Sequence, residues 1–386
     1  MSDRFVRFLF VARWASAIVA LLYHLRFLQF VDYSAVQAKT TLSKAFYFVT
    51  SLGHESFAVF FVLDGIVAGL ILLRHRASGS VERAAVSRHL GALYRVLLPA
   101  LFLGAVLDAT GVRFFNHSGL YTAFPEFSTL TLSVASLLGN LFMLQPFVVP
   151  TFGSNGMLYL LSYLFWCFVL FALFVHAERL GKPRGHAVQA ALLLLVVLFM
   201  PYQFLSWAAI WLAGIAVVFL GESRVLRPPL PLAAACFIGA LALSRLIDAA
   251  PALLPESLGA WMLQNKYLLV GAAFAALARA LYPEHAPRAA SPFVTVVGMQ
   301  DGRAGQIASF TFFCHFPVMM LIAAAGSALL GQPLMRQPSA AAYAAFTLLA
   351  AACLAVTVMV AMTVAGTHHE LGRRPSPVRR SHRWQN

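Results

Sequence analysis

A chain of 386 residues that is 60% hydrophobic and only 11% charged, with a mean hydropathy of +0.78, has too few polar residues to cover a soluble domain. Its 28 Lys and Arg outweigh 14 Asp and Glu, giving a net charge of +14. In an apolar chain that excess is topology signal and lipid-headgroup contact, so nucleic acid is excluded as a partner and membrane lipids are expected. The four cysteines (Cys167, Cys236, Cys314 and Cys353) all lie in apolar runs with neither a paired nor a metal-ligand spacing. They are read as packing residues, and no metal is predicted.

The first stretch has a basic flank, no small-residue cleavage site and an apolar run too long for a signal peptide, so it stays on as the first span. Apolar windows then predict ten spans, at 8–31, 53–73, 92–109, 155–176, 187–203, 205–221, 229–247, 266–282, 305–331 and 340–365. With the N-terminus in the cytoplasm, twenty Lys and Arg fall on the cytoplasmic side and seven outside, and Arg13 lies within the membrane, which accounts for all 28. Counting segment 132–149 as an eleventh span would invert every later loop and destroy that asymmetry. It is read as an interfacial or re-entrant helix ended by Pro146 and Pro150. The expected fold is therefore all-α and polytopic, about ten transmembrane helices with both termini cytoplasmic. Residues 1–366 form the membrane domain and 367–386 a basic, disordered tail.

Polar residues stranded in the spans carry the functional information. Arg13 and His24 are eleven residues apart, close to three turns and about 16 Å of rise, so they share one face of the first helix. Taken singly, Arg13 reads equally as a snorkelling anchor and His24 as a packed histidine. Asp64 interrupts the apolar run "FFVLDGIV" at a depth between those two residues. A carboxylate there needs a partner, a proton or a wet cavity, and pairing with Arg13 is the expectation. The alternative is that the pair only fixes helix packing. The connection "RHRASGSVERAAVSRHLGALYRVLLPA" gathers five arginines and two histidines, a candidate anion site; ordinary positive-inside charge explains part of it.

Five segments, in order, resemble the membrane acyltransferase 3 family of multi-pass enzymes that modify carbohydrates. In "RWASAIVALLYH", Arg13 and His24 match the family's basic residue and histidine spaced by ten residues. "GHESFAVFFVLDG" is similar to its second-helix segment, with Asp64 where serine is usual. "RHLGALYRVLLP" retains Arg88, Arg95 and Pro99 of a basic segment, with stretched spacing. "NGMLYLLSYLFWC" resembles the fourth-helix motif but carries Leu164 where the family has glutamate, and "ASFTFFCHFPVMM" retains His315 and Pro317.

The resemblance implies transfer of an acyl group, usually acetyl, from cytoplasmic acyl-CoA to a hydroxyl of an extracytoplasmic or lipid-linked carbohydrate, in the plasma (inner) membrane. His24 would be the general base, because a neutral imidazole suits a weakly nucleophilic sugar hydroxyl. Arg13 would orient the donor or hold Asp64, and Arg88 and Arg95 would bind the phosphates of CoA. Asn155, Tyr159 and Ser162 would contact the acceptor, and His315 the donor or the acceptor. No appended hydrolase-type domain is evident, so the chain completes transfer alone or with a partner. Two other readings stay open: a secondary transporter, although no repeated broken helices are seen, and an inactive acyltransferase-like protein, given Asp64 and Leu164.

Overall fold

The computed structural model describes residues 3–78, 83–123, 130–221, 227–249, 255–283, 303–331 and 334–371. Residues 79–82 of the basic connection and 372–386 of the tail lie outside the described residues. In chain order the helices are α1 (Asp3–Gln29), α2 (Thr41–Thr50), α3 (Gly53–Ser78), α4 (Arg83–Phe115), α5 (Leu120–Ala123), α6 (Val134–Leu141) and α7 (Leu158–Ala177). They continue as α8 (Arg184–Phe199), α9 (Tyr202–Phe219), α10 (Leu230–Ala249), α11 (Glu256–Leu281), α12 (Arg303–Leu330) and α13 (Ala340–Leu371). β-Bridging is confined, among the described residues, to a single parallel bridge between Phe30 and Arg336.

All ten predicted spans are helical, yet among the described residues eight helices are both long and apolar enough to cross a membrane. Helix α8 falls short at 16 residues. Helix α11 has 26 residues, but Gln264, Asn265 and Lys266 break its apolar run. The chain is thus an all-helical, polytopic membrane protein. Helix α13 continues to Leu371, so the tail expected from 367 begins as helix.

Helix α3 sits at the centre, packed against α1, α9 and α11. Its most apolar window is wholly buried, against 22% for those of α10 and α13, which face outward. In lipid there is little hydrophobic drive between helices, so close packing of small residues does the joining. A Cβ on Gly65 of α3 would sit 2.0 Å from the Trp211 carbonyl oxygen, and one on Gly214 of α9 would sit 2.2 Å from that of Val62. Only glycine allows backbones that close. On the other side of α3, the rings of Phe60 and Phe312 stack with centroids 4.1 Å apart, which fixes α12.

Segment 132–149 makes only the eight-residue α6, about 12 Å long and too short for a ~30 Å core. Ser133 caps it by accepting from the Ser136 amide at 3.1 Å. The loop that follows alternates exposed residues such as Phe142 and Val148 with buried ones such as Met143, Gln145 and Phe152, and its inward backbone groups find side-chain partners. Asn140 donates to the Pro150 carbonyl at 2.9 Å and accepts from the Phe152 amide at 3.1 Å. Asp108 of α4, fully buried, accepts from the amide and hydroxyl of Ser154 at 2.7 and 2.6 Å. Non-helical backbone inside such a bundle survives when it is satisfied in this way. The loop thereby delivers the N-terminus of α7 to the centre.

Candidate functional site

Arg13 and His24 of α1 both point into the seam between α3 and α12. Arg13 Nη1 donates to Ser309 Oγ at 3.0 Å, and its guanidinium lies 5.0 Å from the Phe60 ring centre. Its Nη1 bond thus goes to α12, whereas the sequence suggested a bond to Asp64. Asp64 Oδ2 accepts from Trp211 Nε1 at 2.9 Å, and Oδ1 lies 3.9 Å from His89 Nε2. Arg13 and Asp64 face a common cavity of about 30 Å³, bordered also by His89, Leu164, Gln306 and Ser309. That is room for about one water. A polar cavity shared with Arg13 and His89 answers the question that Asp64 posed. The close α3–α9 crossing at Gly65 and Gly214 is what brings Trp211 onto it.

Nearer the other end of the seam, His24 Nδ1 is 3.0 Å from His315 Nε2, both residues buried at 8% and 0% exposure. His315 Nδ1 is in turn 3.0 Å from the Thr311 carbonyl oxygen. A carbonyl can only accept, so His315 carries its hydrogen on Nδ1. Its Nε2 is then the acceptor, and His24 must donate from Nδ1. The lone pair of His24 is left on Nε2. The chain of bonds therefore selects the tautomer, with one imidazole orienting another. The rings of Tyr23, Phe57 and Phe316 surround His24, with centroids 5.0, 6.1 and 5.3 Å away.

Beyond that aromatic layer lies a larger cavity of about 270 Å³, lined by His54, Tyr159, Gln203, Ser206, Trp207 and Tyr267 at the N-terminal ends of α3, α7 and α9 and in α11. Tyr159, expected at an acceptor, is here. Ser162 is not: it is fully buried and its hydroxyl donates to the Met143 carbonyl of the loop. Asn155 is buried at 1% exposure, borders neither cavity, and its side-chain amide has no hydrogen-bond partner among the described residues. Arg88 is exposed and Arg95 half-buried near the start of α4, each one residue before a residue that lines the smaller cavity, His89 and Val96.

Several of these residues escaped the sequence reading. His89 was grouped with the basic loop, although its spacing to Leu93, Val96 and Ala100 sets it on the apolar face of α4, where its ring packs on Phe168 at 4.1 Å. His54, Gln203 and Trp207 gave no motif signal. No family model matches the chain, and neither a curated protein nor a solved structure does. What fold and site define is a polytopic helical membrane protein with two polar cavities on either side of a hydrogen-bonded histidine pair.

Proposed function

We propose that the protein is a membrane O-acyltransferase that moves an acyl group, usually acetyl, from cytoplasmic acyl-CoA to a hydroxyl of an extracytoplasmic or lipid-linked carbohydrate. The observation that carries this reading is the pair of hydrogen bonds that leaves His24 Nε2 as a lone-pair nitrogen within the bundle, between the two cavities. The acceptor oxygen would bond to the thioester carbonyl carbon while its proton passes to His24 Nε2. The C–S bond then breaks, the CoA thiolate takes that proton, and His24 returns to its neutral form. His315 Nε2, accepting from His24 Nδ1 throughout, steadies the imidazolium formed midway. His315 is thus a positioning residue and not a contact of the donor.

Arg13 lies about 16 Å from His24 along α1, too far to touch the same reacting atom. It is assigned to the donor's path, with Arg88 and Arg95 near the start of α4 for the phosphates. The excess of twenty basic residues over seven supports placing that end, and both termini, in the cytoplasm of a plasma (inner) membrane protein. Asp64 and Leu164, two of the departures from the family pattern, line one cavity. A carboxylate missing from α7 is present on α3, which favours an active enzyme over an inactive relative.

Membranes incubated with radiolabelled acetyl-CoA should pass label to glycan. His24→Ala should lower that transfer by about 100-fold or more while the protein inserts and accumulates normally. Unchanged transfer would remove the general-base role.

A further inference from the structure

We infer that the cavity of about 270 Å³ between α3, α7, α9 and α11 binds an uncharged sugar ring, which on the acyl-transfer reading is the acceptor. Five polar side chains converge on it: His54, Tyr159, Gln203, Ser206 and Tyr267. None of their side-chain polar atoms bonds to a protein group among the described residues; His54 makes only ring contacts, to Tyr23, Phe57 and Tyr267. Polar groups held in one concavity without protein partners are met by solvent or by a ligand with matching donors and acceptors. Hydroxyls, an amide and an imidazole match the hydroxyls of a pyranose, each able to donate or accept.

The apolar part of the wall has the complementary shape. Trp207 and Tyr267 lie nearly parallel, at 14° with centroids 6.0 Å apart, beside the His54 ring stacked on Tyr267 at 5.4 Å. Such a bank of rings suits the C–H face of a sugar while its edge hydroxyls reach the polar groups. The volume is just below the roughly 300 to 1,000 Å³ of small-molecule sites, so one ring enters rather than a long chain. Gln203 is exposed at the mouth, and Trp207 is buried at 5% exposure.

Charge selects the class of sugar. Behind Tyr267, Lys266 bonds to Asp248, Arg245 bonds to Asp248 and lies 3.6 Å from Glu55 Oε1, so two acids and two bases neutralise one another. No Asp, Glu, Lys or Arg lines the cavity. A uronic acid or a phosphosugar would lose hydration there and find no guanidinium or ammonium in return. His24 lies one ring away from this wall, since Tyr23 touches both His54 and His24, at 5.3 and 5.0 Å between ring centres.

The test uses the purified full chain in a detergent without a sugar headgroup, and saturation-transfer NMR with methyl glucoside, N-acetylglucosamine and glucuronate as probes. The neutral probes should show saturable signals on their ring protons and glucuronate none. Gln203→Ala with Ser206→Ala should weaken binding about tenfold without altering the melting temperature. Equal signals from glucuronate, no saturable binding of either neutral probe, or unaltered binding in the double variant overturns the site. Transfer assays separate this from the reading it rests on. Binding lost in the variant with no transfer by any form sinks the acyltransferase and keeps the site, whereas intact transfer with an unchanged acceptor KM in the variant does the reverse.

Discussion

Helix α3 carries two carboxylates nine residues apart, Glu55 and Asp64, almost equally buried at 1% and 2% exposure and yet treated in opposite ways. Glu55 Oε1 accepts from Ser244 at 2.6 Å and lies 3.6 Å from Arg245, in a network that continues to Asp248 and Lys266. The groups around it come from α10 and α11, two helices with no other reason to meet α3 through polar contacts. Asp64 accepts from the neutral indole of Trp211 and faces Arg13 and His89 around a small cavity. The first arrangement consumes its charges in joining helices. The second leaves titratable groups around a space, which is where chemistry or a donor's passage can be supported. Burial of a charged residue in a membrane helix therefore does not by itself mark a site; what it faces decides.

The largest effect that would test this contrast is on stability at the Glu55 end. Arg245→Ala strands a carboxylate that is 1% exposed, at a cost of about 3 kcal/mol. Detergent melting curves should show that loss, while acyl transfer per folded molecule stays near wild type. If Arg245→Ala melts normally but loses transfer, the network belongs to the site and the contrast between the two carboxylates fails.

The helices were legible because runs of about 20 apolar residues leave few alternatives in lipid, and the shared face of Arg13 and His24 follows from helical periodicity alone. The histidine pair was not legible. Its members are 291 residues apart, and nothing in either local sequence says that His315 will meet His24 and not a donor. Depth was enough to bring Arg13 and Asp64 to one cavity, but depth gives no azimuth, so the hydrogen bonds of Arg13 to Ser309 and of Asp64 to Trp211 were not legible. The apolar window at 187–203 runs past Pro201, whereas in the structure the helix stops at Phe199, Pro201 precedes the start of α9 at Tyr202, and α8 is left at 16 residues. The Glu55 network joins Glu55 to Ser244, 189 positions away, beyond any motif.

An intermediate effect tests the Asp64 end. Leu164 lines the same cavity as Asp64, so a carboxylate placed at either position faces Arg13 and His89. Leu164→Glu alone puts two like charges around a space of about 30 Å³ and should lower both melting temperature and transfer. Asp64→Ser alone removes the carboxylate and should lower transfer. The double variant should regain part of both losses, with a coupling energy of about 1 to 3 kcal/mol. Losses that simply add would mean that the two positions do not share one role, and that the cavity does not depend on holding a single negative charge.

The smallest effect concerns Ser162, which the family resemblance suggests for the acceptor and the structure places against the loop. Its hydroxyl donates to the Met143 carbonyl, which also accepts from Trp166 Nε1 at 2.8 Å. Ser162→Ala therefore removes one donor from an oxygen that keeps another, and no buried acceptor is stranded. Met143 holds a left-handed backbone at φ 56°, so loosening its anchor relaxes the loop slightly instead of straining it further. The expected loss is about 1 kcal/mol in a denaturant melt, with kcat and the acceptor KM unchanged. Tyr159→Phe, which keeps the ring and removes a hydroxyl facing the larger cavity, should do the opposite, raising the acceptor KM at constant stability. Should Ser162→Ala raise the acceptor KM while melting as wild type, the hydroxyl would belong with the acceptor, and the division between a structural loop and a binding cavity would have to be redrawn one helical turn deeper into α7.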